Sequence, residues 1–119
     1  MAFSFESLEV YQKALDFSVA VINSIEDLEM PRKHYRLIEQ LEAACTSVSM
    51  NIAEGKGRYS KKEFKHFLYI ARGSLYETVT MLQIFKRKTW LKEEKFCKIY
   101  EDAEEISKMI SGLVNSIRA

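Results

Sequence analysis

Two basic runs carry most of the chemistry this chain can offer. Lys56, Arg58, Lys61, Lys62 and Lys65 crowd together with Tyr59 among them, and Lys86, Arg87 and Lys88 form a second run. Cations at that density attract phosphate, and an aromatic ring beside them can stack on a nucleic-acid base. The same runs also read as solvating charge, with the second run complementing the dipole at a helix C-terminus. For a single protomer the solvating reading is preferred. In a ring of copies, each run would be repeated into a belt of charge.

A second constellation is polar. Gln40, Ser47, Asn51, Glu54, Ser74 and Glu77 stand in apolar surroundings, and Ser47, Asn51 and Glu54 are spaced four and three, on one helical face. Buried polar groups must be hydrogen-bonded, so these residues read as a ligand site or as a network that sets helix register. The network is preferred, with Arg58 pairing to Glu54 or Glu77.

Other chemistries lack their parts. A di-iron bundle needs two Glu-x-x-His pairs, and Glu63 with His66 is the single such pair here. Gly55-Lys56-Gly57 lacks the Gly-Lys-Ser/Thr of a phosphate-binding loop, and Ser74 has no Gly-x-Ser-x-Gly elbow. With no nucleophile, base and orienter grouped together, the chain is read as a non-enzyme without metal or cofactor. His34 and His66 are expected on the solvated surface. Cys45 and Cys97 fall at apolar positions and are expected to be buried, reduced thiols.

The elements that hold these residues are helices. In 119 residues there are one Pro and four Gly, too little turn chemistry for a sandwich or barrel. The length suits one domain over 1–119. Leu8, Tyr11, Leu15, Ser18, Ile22 and Ile25 recur at three- and four-residue steps, with Ser7 as N-cap. Val10, Ala14, Phe17, Val21 and Leu28 form a second stripe beside the first, so this apolar face is wider than one bundle needs. Pro31 is expected at the first position of a second helix carrying Ile38, Leu41, Cys45, Val48 and Ile52 and stopping at Gly55.

Ser60-Lys61-Lys62-Glu63 reads as a capping box opening a third helix through Phe64, Leu68, Ala71, Leu75, Thr78, Leu82 and Phe85. A fourth uses Phe96, Ile99, Ala103, Ile106, Ile110, Leu113 and Ile117. Short connections between long helices make neighbours antiparallel, so the fold class is an all-α, up-down-up-down antiparallel four-helix bundle. Gly73 in mid-helix predicts a close contact, within the bundle or with another subunit. The wide first-helix face and the extra aromatics Tyr69 and Tyr76 predict a homo-oligomer.

Net charge is +1, below the basic excess usual for a dedicated nucleic-acid binder. Residues 56–91 nonetheless carry +7. The N-terminus shows neither a basic region nor an apolar run of signal type, and no stretch is long enough to span a membrane; a cytoplasmic protein is expected.

Gln40-Leu41, Ala44, Ser47-Val48, Asn51-Ile52-Ala53-Glu54-Gly55, Arg58, Ser60, Glu63-Phe64, Phe67-Leu68, Ile70-Ala71, Gly73-Ser74-Leu75 and Glu77 together carry a resemblance. Leu8, Tyr11, Gln12, Lys13 and Ala14 extend it into the first helix. The chain resembles the four-helix bundle proteins encoded in intervening sequences of bacterial 23S ribosomal RNA genes. That resemblance implies a ring-like homopentamer. It also implies kinship with the accessory variability protein of diversity-generating retroelements, a basic bundle that works with a reverse transcriptase and RNA. Many relatives have two Arg where Glu42 and Ala43 stand, Pro at Ser49 and Gly at Thr89. The partner classes that follow are RNA or another nucleic acid, or alternatively a neighbouring protein for which the bundle is a scaffold.

Overall fold

The computed structural model describes residues 2–118. Met1 and Ala119, at the ends of the domain expected over 1–119, lie outside the described residues. Four helices follow a short 3-10 turn at Ser4–Ser7: α1 (Glu9–Glu26), α2 (Tyr35–Lys56), α3 (Lys61–Arg87) and α4 (Glu93–Ser116). Each packs on its sequence neighbours and α1 closes onto α4, while the diagonal pairs do not pack. This is the antiparallel up-down-up-down bundle, 49 Å long and 23 × 21 Å across. Phe17, Leu41, Ile52, Leu68, Leu75, Phe85, Ile106 and Ile110 lie fully buried along its axis.

The α1 face is turned from the expected one. Val10, Ala14, Phe17, Val21 and Leu28 enter the core, whereas Leu15 is exposed and Leu8, Tyr11 and Ile22 are half-buried. Burying Phe17 removes more apolar area from water than burying Leu15. Of the first stripe, Ile25 and Ser18 are buried; the Ser18 hydroxyl donates to the Cys45 carbonyl at 2.9 Å, tying α1 to α2. Ser7 does not cap α1. Its hydroxyl donates back to the Ser4 carbonyl, closing the 3-10 turn, and Leu8 holds the cap position.

Pro31 does not open α2, which begins four residues later at Tyr35. The intervening chain is held down by docking onto the α3–α4 connection. The Glu29 amide donates to the Trp90 carbonyl at 2.9 Å, and the His34 ring stacks on Trp90 at 4.6 Å. His34 is therefore half-buried rather than solvated. Gly55 does not stop α2 either: the helix continues to Lys56 and is capped by Gly57. A Cβ on Gly55 would lie 2.6 Å from Phe67 Cβ, so this glycine permits the close approach of α2 and α3.

Ser60 caps α3, its Oγ accepting the Glu63 amide at 3.1 Å, but among the described residues the Glu63 carboxylate does not reach back to the Ser60 amide, so half of the expected capping box forms. Helix α3 ends in a Schellman motif. The Trp90 amide donates to the Phe85 carbonyl and the Thr89 amide to the Lys86 carbonyl, while the Phe85 and Trp90 rings pack edge to face. Thr89 takes the left-handed position, with φ 62°. In α4, Val114 takes the buried place and Leu113 is half-buried. Cys97, expected inside, is exposed; Cys45 is buried. Nothing lies within 4 Å of a Cβ built on Gly73, so no contact inside the bundle explains that glycine.

Candidate nucleic-acid interface

The first basic run gathers at one end of the bundle. Lys56 closes α2, Arg58 and Tyr59 form the connection, and Lys61, Lys62 and Lys65 occupy the first turns of α3. Gly55 sets the separation of the two helices here, because Phe64 and Phe67 pack where its side chain would stand. Those rings in turn hold cations: Lys56 Nζ lies 5.8 Å from the Phe64 centroid and the Arg58 guanidinium 4.7 Å from that of Phe67. Arg58 also donates to Glu54 Oε1 at 2.6 Å, settling which carboxylate it pairs with. Among the described residues, Lys56, Lys61, Lys62 and Lys65 have no acidic partner. The partial positive charge of the α3 N-terminus adds to theirs.

The second run lies at the opposite end, and among the described residues one of its three cations, Lys86, is ion-paired. Lys86 reaches Glu93 at 3.1 Å, and its Nζ sits over the Phe96 ring at 4.7 Å. Lys88 lies over the Trp90 ring at 5.5 Å. Close by, Lys92 approaches Glu29 at 3.7 Å and Lys95 bonds Asp27. The hydrogen bond and charge of Lys95 hold the Asp27 carboxyl below its ordinary pKa. Arg87 has no ion-pair partner among the described residues. The structure thus brings Lys56, Arg58, Tyr59, Lys61, Lys62 and Lys65 together and leaves Lys86, Arg87 and Lys88 apart from them.

The polar constellation resolves into three separate contacts along the α2–α3 seam. Ser74 Oγ donates to Ser47 Oγ at 2.9 Å, and Asn51 Nδ2 donates to the same oxygen and to the Ser47 carbonyl, both at 2.8 Å. Gln40 Nε2 donates to Glu77 Oε2 at 3.4 Å, and Glu54 pairs with Arg58. Gln40, Glu54 and Glu77 are exposed, so their carboxylates and amide meet water rather than a low-dielectric core. No buried side-chain nitrogen or oxygen among the described residues lacks a partner.

Sequence reasoning missed one concave feature. An open groove of about 330 Å³ between α3 and α4 is lined by Leu75, Tyr76, Val79, Tyr100, Ala103 and Glu104 among others. Its residues come from helices read separately, and only their pairing makes the concavity. Among the described residues no group of three or more His, Cys, Asp and Glu is placed to hold a metal ion. No helix among them is long and apolar enough to cross a membrane.

Comparison with known proteins places this arrangement. The chain is similar to a structure described as a protein with unknown function from the S23 ribosomal protein family of Bacteroides thetaiotaomicron. The two share 27% identity over 90% of this chain and 99% of that one, with a TM-score of 0.83. Among curated proteins none matches. The family described as 23S rRNA-intervening sequence protein matches residues 6–112, which spans all of α1, α2 and α3 and most of α4. With that match running through both the bundle and its basic end, the chain belongs to the 23S rRNA-intervening sequence protein family.

Proposed function

We propose that this protein is a non-catalytic bundle that binds nucleic acid, RNA above all, through the phosphate backbone at its α2–α3 end. The observation that carries the reading is the set of four lysines, Lys56, Lys61, Lys62 and Lys65, gathered without acidic partners among the described residues on one connection and the helix turns beside it. At the opposite end Lys86, Lys92 and Lys95 pair with Glu93, Glu29 and Asp27, and only Arg87 and Lys88 of the second run stay unpaired. Cations without an internal partner are the ones free to displace counterions from phosphate. Fluorescence anisotropy with a labelled RNA over a salt series tests it. Affinity should fall steeply with salt. Lys61→Ala/Lys62→Ala/Lys65→Ala together should weaken binding and flatten the salt slope by roughly 2 to 3. Unchanged binding by that triple variant would remove these lysines from the account.

Assembly is part of the proposal. Tyr69, Ile70, Tyr76 and Ile84 are exposed along α3, Gly73 leaves its backbone open among them, and Leu15 and Val19 are exposed on α1. Several copies covering these faces would bring several lysine clusters onto one strand, which multiplies affinity. Light scattering reporting a monomer at micromolar concentration would reject this part. The same α3 residues support a second reading, a scaffold for a neighbouring protein. A specific protein recovered in pull-downs, with no nucleic acid retained at moderate salt, would favour it.

A further inference from the structure

Tyr59 makes this basic end suited to an unpaired strand rather than a duplex. Its side chain is fully exposed, at 105% relative accessibility, on the connection between α2 and α3. The neighbouring rings are all occupied. Phe64 lies under Lys56, and Phe67 lies under Arg58 and against the edge of His66. Tyr59 has neither an aromatic nor a cationic partner among the described residues. Of the exposed large hydrophobic side chains among the described residues, Tyr59 is the most exposed. Here the surroundings are cations, and they flank it on both sides: Lys56 on the last turn of α2, and Lys61, Lys62 and Lys65 on the first turns of α3.

We infer that Tyr59 stacks on a base of a single-stranded or looped nucleic acid while the flanking lysines hold the phosphates before and after it. In a duplex, base faces are covered by their neighbours, and only a splayed or unpaired base offers a face to an aromatic side chain. The backbone cradle alone would accept either form, so the ring is what discriminates. This inference rests on the reading of the α2–α3 end as a phosphate-binding surface.

The test uses the full chain, a fluorescein-labelled 20-nucleotide RNA without self-complementarity, and that strand annealed to its complement, at matched salt. The unaltered protein should bind the single strand more tightly. Tyr59→Ala should weaken single-strand binding by about 5- to 100-fold and leave duplex binding within twofold. Tyr59→Phe, which keeps the ring, should retain the single-strand preference. Because the Tyr59 side chain is fully exposed, its loss should leave the circular dichroism melt unchanged. Equal affinity for both forms overturns the stacking role. So does a Tyr59→Ala loss that is absent or the same on both, even while the triple lysine variant abolishes binding. Failure of the unaltered protein to bind either RNA at low salt defeats the phosphate-surface reading and the stacking role with it.

Discussion

Thr89→Gly should stabilise this protein, and the reason is a single backbone angle. Thr89 occupies the left-handed C′ position of the motif that ends α3, with φ 62°. A left-handed conformation costs an L-residue about 1–2 kcal/mol, and a β-branched side chain is among the least suited to it. Glycine removes that cost but brings more freedom to the unfolded chain, worth roughly 0.5–1 kcal/mol. The Thr89 hydroxyl is exposed and bonds only the adjacent Lys88 carbonyl, so its loss weighs little against a bond to water. The hydrogen bonds from the Thr89 and Trp90 amides survive the change, because they are made by the backbone. The net gain should be about 1 kcal/mol, a rise of roughly 3–6 °C in melting temperature for a chain of this size. Thermal and urea unfolding followed by circular dichroism measure it, with Thr89→Ala as comparison. Alanine keeps the left-handed cost and should gain at most a few tenths of a kcal/mol. Lower stability for Thr89→Gly, or the same change for both variants, would refute the strain argument. Because this turn lies at the far end from Lys61 and Lys62, nucleic-acid affinity should not change with it.

Two other glycines should respond in opposite directions. Gly55→Ala places a Cβ 2.6 Å from Phe67 Cβ and 3.1 Å from Phe64 Cδ1, and should cost about 1–3 kcal/mol in urea unfolding. Gly73→Ala meets open space in mid-helix and should gain about 0.5–1 kcal/mol, unless a second copy packs there, in which case light scattering will show the assembly weakened. A thiol-reactive dye should label Cys97 alone in the native protein and Cys45 only after denaturation; two thiols labelling at equal native rates would contradict their placement. Burial, then the nearby Glu42 carboxylate, pushes the Cys45 thiol up to about 11 from 9.0. The folded state therefore holds this proton more tightly than the unfolded state does. Stability from this group is full below pH 9 and is lost as pH rises towards 11, and Cys45→Ala should flatten that part of the profile.

Much of this molecule was legible along the chain. The three-four rhythm of Leu41, Cys45, Val48 and Ile52, and of Leu68, Ala71, Leu75, Thr78, Leu82 and Phe85, marked the buried faces of α2 and α3, while Ile38 and Phe64 at the starts of those stripes are only half-buried. A helical period is a property of the local sequence, and it needs no partner to be read. The Ser60 cap was legible for the same reason, since donor and acceptor are three residues apart. The basic end was visible too, because its cations lie within ten consecutive residues, on one short connection and the helix turns that flank it.

Tertiary structure decided what depends on distant residues. Helix α1 carries two apolar stripes side by side, and only packing on α2 and α4 selected the one containing Phe17. The start of α2 moved past Pro31 because Trp90, far along the chain, holds down Glu29 and His34. The two basic runs look alike in sequence, yet only the second has acidic residues of another connection brought beside it, because the bundle puts the first and third connections at the same end and pairs residues as far apart as Asp27 and Lys95. Helical periodicity is written in neighbours three and four apart. The net charge a surface presents is set by whichever segments the topology places beside it, and a linear sequence does not contain that information locally.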